Sequence, residues 1–234
     1  MSKGKLIITG ADGALGSVVS KKLLEEGWSL YSNALHQRSA DRLQELFPEY
    51  MNKQLYASIG DLSNNDAVEN LIHAAGEIRG LVHLAGGYAG GNSILHDDSS
   101  SFESMWRLNT LPTFLLLRSV FPVLKQYGGG SIVTIGAKPA IRPMAGNIAY
   151  AASKSSVVTM TLAVAEEGKP FHVRANVIVP ATLQTPNNLS WADAEMFQKF
   201  TPLDHVAGNI AFLMDDASAG VSGTVIPMYN QLPW

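Results

Sequence analysis

Several features are missing from this chain of 234 residues, and each absence excludes a class of protein. There is no cysteine, which excludes disulfides, thiolate metal sites and a cysteine nucleophile. The 17 basic and 20 acidic residues nearly cancel, so no general attraction to nucleic acid or to an anionic membrane is expected. No uncharged apolar run approaches the roughly 20 residues of a membrane span, no signal peptide is recognisable, and the six histidines lack the spacing of metal ligands. These absences predict a soluble, cytoplasmic, globular protein without a metal.

Short apolar runs alternate with longer helical stretches along the whole chain. Four compact runs are apolar on both faces, as central strands of a parallel sheet are: 6–8, 81–84, 132–135 and 177–179. Weaker strand candidates lie at 29–33, 55–59 and 224–228, and helical patterns at about 14–27, 40–50, 64–77, 101–127, 147–167 and 204–214. This alternation predicts a single α/β domain over 1–234, with a doubly wound parallel sheet of about seven strands and helices on both faces. Residues 180–203 lack periodicity and are either a lid over the substrate or an ordinary surface loop.

A glycine-rich turn follows the first predicted strand. Glycines stand at positions 10, 13 and 16, and a helical pattern follows at once. Such glycines allow a tight turn, the approach of a pyrophosphate to the backbone, and close packing of helix on strand. The helix N-terminus then offers free N–H groups to the phosphates. The turn predicts a dinucleotide-binding site formed by Gly10, Asp12, Gly13, Ala14, Leu15 and Gly16.

The residues after the second predicted strand bear on the choice between NAD and NADP, because a carboxylate there would bind the ribose 2′-hydroxyl. Ala34 occupies that place, and His36 and Arg38 follow, which favours NADP. Asp12 opposes this interpretation, since its charge would repel a nearby phosphate. His36 and Arg38 are equally compatible with solvated surface positions. The sequence therefore predicts NAD(P)H as the cofactor, with a lean towards NADP.

Asp61 and Leu62 follow the third predicted strand. A carboxylate at this place would accept a hydrogen bond from the adenine amino group, with the Leu62 backbone beside it. An aspartate before a helix is also a common N-cap. Both interpretations of Asp61 stay open at this point.

Tyr150 and Lys154 lie four residues apart in the predicted helix 147–167, a spacing that puts both side chains on one helix face. A phenol ordinarily has a pKa of about 10, but a nearby ammonium lowers that pKa, and an oxidised nicotinamide would add to the effect. Tyr150 would then donate a proton while hydride arrives from the cofactor. The alternative is a helix with its tyrosine in the core and its lysine in solvent.

The chain resembles the short-chain dehydrogenase/reductase family over essentially its whole length. The resemblance is carried by the glycine turn Thr9–Gly16, Asp61, Leu84–Gly86, Asn109, Tyr150, Lys154, Pro180 and Thr185. It implies a Rossmann-type fold with strand order 3-2-1-4-5-6-7, and homodimers or homotetramers built on the two long helices after strands four and five. It also implies cofactor contacts at Ala85, Gly86, Gly87, Pro180, Leu183 and Thr185.

The roles of the catalytic residues are likewise implied by this resemblance. In the family the tyrosine is the catalytic acid and base, and the lysine lowers its pKa while holding the nicotinamide ribose. The asparagine relays protons through a water near the lysine, and the loop from proline to threonine anchors the carboxamide. The resemblance thus implies that Tyr150, Lys154 and Asn109 are catalytic and that the substrate is a small molecule.

Two departures from the common family pattern point to one branch of the family. The usual serine, 13 residues before the tyrosine, is replaced by Ala137, and the glycines are spaced Gly-x-x-Gly-x-x-Gly. Both features resemble the sequence pattern of one branch, the quinonoid dihydropteridine reductases. Five stretches resemble that branch in detail: 13–17, 85–92, 136–138, 182–187 and 201–203. By this resemblance Tyr88 would stack against a flat pterin ring, and Ala137 would line the substrate site.

The missing serine has a chemical rationale. A quinonoid pterin is reduced at a conjugated imine and develops no localised alkoxide for a serine hydroxyl to stabilise. The resemblance therefore implies an NAD(P)H-dependent reductase of a quinonoid pterin. Ala34 and Asn109 differ from that branch, which leaves open a reductase of another carbonyl, imine or quinone. The loss of the serine also leaves open a weakly catalytic nucleotide sensor.

Overall fold

The computed structural model describes residues 3–233. Within them, seven parallel strands form one sheet in the order β3-β2-β1-β4-β5-β6-β7. The strands are β1 (Gly4–Thr9), β2 (Trp28–Ala34), β3 (Leu55–Ile59), β4 (Gly80–His83), β5 (Gly130–Ile135), β6 (Val173–Pro180) and β7 (Val225–Met228). The predicted doubly wound α/β fold, its seven strands and the strand order implied by the resemblance are confirmed.

Helices connect the strands and cover both faces of the sheet. They are α1 (Ala14–Glu25), α2 (Gln37–Leu46), α3 (Asn65–Ala75), α4 (Ser99–Met105), α5 (Leu111–Gln126), α6 (Lys138–Ile141), α7 (Ile148–Gly168), α8 (Pro186–Leu189), α9 (Ala194–Lys199) and α10 (Leu203–Met214). A π-helical segment, Trp106–Thr110, joins α4 to α5. The predicted helix 101–127 is therefore one continuous run with a widened turn inside it.

The central strand β1 explains the two-sided core. Side chains alternate between the faces along a strand, and Leu6 and Ile8 pack with α1 and α10 while Ile7 packs with α3 and α5. All three side chains are fully buried. Because β1 lies between β2 and β4, its carboxyl end is the switch point at which such sheets bind ligands.

The second helix differs from its predicted position. A helix was predicted over 40–50, whereas α2 begins at Gln37 and ends at Leu46. Its start is set by His36, whose ring accepts a hydrogen bond from the Ser39 N–H. Its end is set by Pro48, which disfavours helical backbone at Phe47; Phe47 has φ −134° and ψ 48°.

The segment 180–203 is more ordered than the predicted loop. It contains the short helices α8 and α9, and Thr201 ties its two ends together. The Thr201 N–H donates to the Thr182 carbonyl, and its own carbonyl accepts from the Gln184 N–H. Its hydroxyl donates to the Met228 carbonyl at 2.8 Å. The base of this segment is thus anchored to β7, while a lid function for its outer part stays a prediction.

One helical run, Ile148–Phe171, is long and apolar enough by composition to cross a membrane. In the fold, however, α7 packs against β6 and α5. One face of this helix therefore belongs to the core.

Candidate active site

The turn between β1 and α1 requires glycine at two positions. Gly10 has φ +70°, and a Cβ there would lie 2.9 Å from the Ala85 nitrogen. A Cβ on Gly16 would lie 1.9 Å from the Gly10 carbonyl oxygen. These close approaches bring the start of α1 against the end of β1 and against the loop after β4. The turn is therefore shaped by the absence of side chains.

The N-terminus of α1 fits a phosphate group. Its N-cap is Gly13, no side chain caps it, and its first turn holds no acidic residue. The first N–H groups of a helix lack partners within the helix and attract anions. Half-buried Asp12 stands just before this N-terminus, and Ala14 and Leu15 form the first helical positions. This cradle agrees with the predicted binding of a dinucleotide.

A buried hydrogen-bond chain runs behind the glycine turn, through His83 at the end of β4. The Ala85 N–H donates to Thr9 Oγ1, and Thr9 Oγ1 lies 2.7 Å from His83 Nδ1. On the other side, His83 Nε2 lies 3.0 Å from Thr113 Oγ1, which donates to the Asn109 carbonyl. Because Thr113 gives its proton to Asn109, it must accept from His83 Nε2–H, and Nδ1 accepts from Thr9. His83 is therefore neutral, and every polar atom of its ring has a partner.

Asn109 lies in the π-helical segment and joins three parts of the site. Its Oδ1 accepts from the Gly87 N–H, and its Nδ2 donates to the Gly87 carbonyl and to Ser153 Oγ. A Cβ on Gly86 would lie 2.6 Å from Asn109 Oδ1 and 3.1 Å from Lys154 Nζ. Widened helical turns of this kind are frequent at functional sites. Asn109 thereby holds the loop after β4 against α7.

Tyr150 and Lys154 lie in the first two turns of α7. Lys154 is 7% exposed, and its Nζ donates to the Ile135 carbonyl at 3.0 Å. Burial lowers the pKa of Lys154 to about 8, so its ammonium persists at neutral pH. Burial also raises the pKa of Tyr150 to about 12, with a smaller contribution from the phenol of Tyr88. The expectation that Lys154 lowers the pKa of Tyr150 is wrong here, because burial of the phenol dominates.

The two residues predicted to meet the substrate differ in exposure. Tyr88 is 63% exposed, and its ring stands edge-on to that of Tyr150, at 4.9 Å between centroids and an interplanar angle of 87°. Ala137, the N-cap of α6, is 4% exposed. Tyr88 is thus placed to touch a ligand at Tyr150, whereas Ala137 offers little surface.

The predicted adenosine contacts lie at the carboxyl ends of β2 and β3. Arg38 is exposed in the first turn of α2, and His36 caps that helix. Leu62 is buried, and Asp61 accepts a hydrogen bond from the Ser63 N–H at 2.8 Å. The N-cap of α3 is Asn64, so the alternative in which Asp61 caps that helix is wrong.

The predicted carboxamide contacts follow β6. Pro180 ends that strand, and Leu183 pairs with Thr201 in an isolated bridge. Thr185 is the N-cap of α8, where its hydroxyl accepts from the Asn188 N–H at 3.2 Å. All of these residues lie at the edge of the sheet that carries the glycine turn.

Two cavities of about 460 Å³ lie away from these residues. One is at the amino ends of the strands and is lined by Lys3, Arg79 and Arg174 among others. The other lies between α5 and α7 on the outer surface. Above Tyr150 the loops 86–92 and 143–147 meet, and the Gly91 N–H donates to the Gly146 carbonyl at 2.7 Å.

Three contributors to this geometry escaped the sequence analysis. Asn147 accepts a hydrogen bond from the Tyr88 hydroxyl, Ser153 bonds Asn109, and His83 forms the buried chain described above. The spacing of Asn147 and Ser153, each three residues from Tyr150, was a usable signal because such neighbours share a helix face. His83 gave no such signal, because a single histidine in an apolar strand does not show which residues will bond its ring. Its partners became evident only in the fold.

Comparisons with known proteins agree with this arrangement. Residues 5–196 match the short chain dehydrogenase family. The 7alpha-hydroxysteroid dehydrogenase of Bacteroides fragilis is 26% identical over 238 residues, covering 94% of this chain and 91% of that protein. The levodione reductase of Leifsonia aquatica is 26% identical over 247 residues, covering 95% of this chain and 91% of that protein. A solved short-chain type dehydrogenase/reductase from Mycobacterium ulcerans has a TM-score of 0.90 at 25% identity, covering 99% of this chain and 90% of its own.

The chain belongs to the short-chain dehydrogenase family. It is accordingly an NAD(P)-dependent oxidoreductase. The N-terminus of α1 fits the diphosphate of that cofactor, since no side chain caps it and its first turn holds no acidic residue.

The buried His83 predicts a specific loss of stability in acid. Burial, and to a lesser extent the charge of Lys154, lowers the pKa of His83 from 6.5 to about 3. Between these values the unfolded chain binds a proton at this residue that the folded chain does not bind. The stabilising effect is therefore complete above pH 6.5, and the free energy of unfolding falls by about 1.4 kcal/mol per pH unit below it.

Urea unfolding at pH 7 and pH 5 measures this effect. Between these pH values, His83 should lower the free energy of unfolding of the wild type by about 2 kcal/mol. The decrease measured for His83→Asn should therefore be about 2 kcal/mol smaller than that of the wild type. His205→Asn, which removes an exposed imidazole on α10, serves as the matched control and should keep the wild-type slope. Equal slopes for His83→Asn and the wild type would mean that folded His83 takes up the proton.

Proposed function

We propose that this enzyme reduces a small planar acceptor, with Tyr150 as the proton donor. The observation that carries the proposal is the position of Tyr150 and Lys154 on one end of α7, beside Asn109 and at the sheet edge that holds the glycine turn. When bound, the reduced nicotinamide supplies a hydride. With its pKa raised to about 12, the phenol of Tyr150 keeps its proton at neutral pH, which is the form that a proton donor needs.

Lys154 and Asn109 have supporting roles in this proposal. The buried ammonium of Lys154 uses one proton on the Ile135 carbonyl and retains two further donors, which suit the ribose hydroxyls of the cofactor. The amide of Asn109 is committed to Gly87 and Ser153, so it positions the loop after β4. Pro180, Leu183 and Thr185 would hold the carboxamide side.

A quinonoid dihydropterin is the acceptor that we propose. Position 137 carries a methyl group in place of a hydroxyl, which a conjugated imine tolerates better than a ketone does. The exposed ring of Tyr88 stands beside Tyr150 and offers a face to a flat heterocycle. A second candidate is reduction of a carbonyl or quinone, which the names of the two relatives, levodione reductase and 7alpha-hydroxysteroid dehydrogenase, favour.

Steady-state oxidation of NADPH and NADH distinguishes these candidates. Quinonoid dihydrobiopterin and a cyclic diketone are the two acceptors. A hydroxysteroid is assayed as a hydride donor, through reduction of NADP+ and NAD+. A higher kcat/KM with the pterin supports the proposal. Turnover of the diketone or the steroid, without turnover of the pterin, would mean that the substrate is a carbonyl compound and not a pterin. Turnover of none of them, with the cofactor still bound, would identify a nucleotide sensor.

The cofactor preference gives a prediction about Arg38. Its side chain is exposed, four residues after Ala34, at whose position an acidic residue would repel a 2′-phosphate. We therefore expect a higher kcat/KM with NADPH than with NADH, and about a ten-fold loss with NADPH alone in Arg38→Ala. Arg42→Ala, one turn further along α2 and also exposed, is the control. A preference for NADH that Arg38→Ala leaves unchanged would contradict this assignment.

We further propose that the enzyme is a homodimer, formed through the outer surface of α5 and α7. Trp106 and Phe114 line a cleft there with Met160 and are 44% and 49% exposed. Exposed apolar surface of this kind marks contacts between proteins. Phe114→Arg is expected to convert dimers to monomers in sedimentation velocity, whereas Leu46→Arg, on the exposed side of α2, should not. A wild type that sediments as a monomer would refute the dimer.

A further inference from the structure

Two loops meet above Tyr150 through a direct contact between side chains. The hydroxyl of Tyr88 donates to Asn147 Oδ1 at 2.9 Å. Beside this contact, the Gly91 N–H donates to the Gly146 carbonyl at 2.7 Å. We call the pair of residues the Tyr88–Asn147 bridge. It joins the loop after β4 to the residue that precedes α7.

The side chain of Asn147 forms this bridge and does not cap α7. It occupies the N-cap of α7, a position at which an asparagine side chain normally accepts from the N–H groups of the first turn. No such bond is present at this helix, in contrast to α3, where Asn64 caps with its side chain. A side chain that leaves a favourable local partner for a distant one is most simply explained by a role in the site.

The glycines of the two loops are required by the bridge. A Cβ on Gly90 would lie 2.5 Å from Asn147 Oδ1 and 2.8 Å from the Tyr88 hydroxyl. Gly91 and Gly146 have φ +112° and +75°, which other residues rarely adopt. The sequence around the bridge is thus adapted to it at several positions.

The direction of the hydrogen bond decides what the bridge presents to a ligand. Because Tyr88 uses its only hydroxyl proton on Asn147, its oxygen can offer only lone pairs to a further partner. Tyr88 is exposed and its ring contacts that of Tyr150, so its oxygen is open to a ligand that binds beside Tyr150. The usual serine hydroxyl, which both donates and accepts, is replaced here by Ala137.

We propose that Tyr88 selects the substrate through its hydroxyl oxygen, and that the substrate class is a planar acceptor with an N–H or O–H donor near its reducible bond. This inference rests on the proposed function, since it assumes reduction at Tyr150. It goes beyond that function because it assigns recognition to the Tyr88–Asn147 bridge. A simple ketone offers no donor to the lone pairs of the Tyr88 oxygen and is bound less well.

Isatin and N-methylisatin test this inference, because both are planar diketones and only isatin carries an N–H. Calorimetry with the enzyme saturated with oxidised cofactor gives both dissociation constants without turnover, and kcat/KM is measured with reduced cofactor. We expect the wild type to favour isatin about ten-fold. The ratio should fall to near one in Tyr88→Phe, which keeps the ring. It should also fall in Gly90→Ala, because the added Cβ would lie 2.8 Å from the Tyr88 hydroxyl and displace it.

Tyr127→Phe is the matched control, because it removes an exposed phenol hydroxyl at the distant end of α5. It should keep the wild-type ratio, and circular dichroism checks that every variant folds. A wild-type ratio near one overturns the inference, and so does a ratio that Tyr88→Phe leaves unchanged, since steric rejection of the methyl group would survive that change. Failure of the proposed function is seen separately, as binding that discriminates between the two diketones without reduction of either.

Discussion

Replacing Tyr150 by phenylalanine is expected to lower kcat about 10³-fold, within the range typical of a lost general acid, while NAD(P)H still binds. The phenol is half-buried and has a pKa of about 12, so it carries its proton at any pH used for the assay. Its partner on the same helix face, Lys154, has a pKa of about 8 and bonds the Ile135 carbonyl. In the mechanism that we propose, Tyr150 therefore donates the proton and Lys154 binds the cofactor.

The measurement is steady-state cofactor oxidation, together with fluorescence titration of NAD(P)H binding. Tyr127→Phe is again the control, with wild-type kcat expected. A rate of Tyr150→Phe within about ten-fold of the wild type would mean that general-acid catalysis by the phenol is not used. In that case Lys154 or solvent would have to supply the proton.

Replacing Gly16 by alanine is expected to lower the free energy of unfolding by about 3 kcal/mol or more and to abolish cofactor binding. The added Cβ would lie 1.9 Å from the Gly10 carbonyl oxygen and 2.7 Å from its carbon. Both are backbone atoms of the glycine turn, so no side chain can rotate away. The turn must open, and with it the cradle at the N-terminus of α1.

Gly208→Ala is the matched control for this prediction. Gly208 lies inside α10, and a Cβ there would meet nothing within 4 Å. Alanine should stabilise that helix by up to about 1 kcal/mol. Urea unfolding of both variants and NADPH titration test the pair. A Gly16→Ala variant that unfolds like the wild type and binds NADPH would show that the cradle tolerates a wider turn.

The sequence was most informative where structure depends on nearby residues. The strand 55–59 and the start of α1 at Ala14 agree with the structure, since each is marked by an apolar run or by glycines. The helix predicted over 40–50 was displaced because its signals were weaker: His36 caps α2 through its ring, and Pro48 ends it. Histidine is an uncommon N-cap, so His36 was a weak signal for the start of α2.

For the candidate site, the sequence identified residue types more reliably than their environments. Tyr150, Lys154 and Asn109 were singled out from spacing and resemblance, and the structure brings them to one edge of the sheet. The direction of the Tyr150 pKa was predicted wrongly, because the expected effect of Lys154 depends on distance and the actual effect depends on burial. A spacing of four residues predicts neither the distance between the two side chains nor the burial of the phenol.

The sequence by itself determined the order of strands and helices, the glycine turn and the family, because each of these follows from residues close together in the chain or from a resemblance. Only the tertiary structure decided that Tyr88 meets Asn147, that His83 joins Thr9 to Thr113, and that Lys154 is buried. The physical reason is that hydrogen bonds and burial depend on which distant segments pack together. The recognition that we propose for the Tyr88–Asn147 bridge is therefore a property of the folded chain.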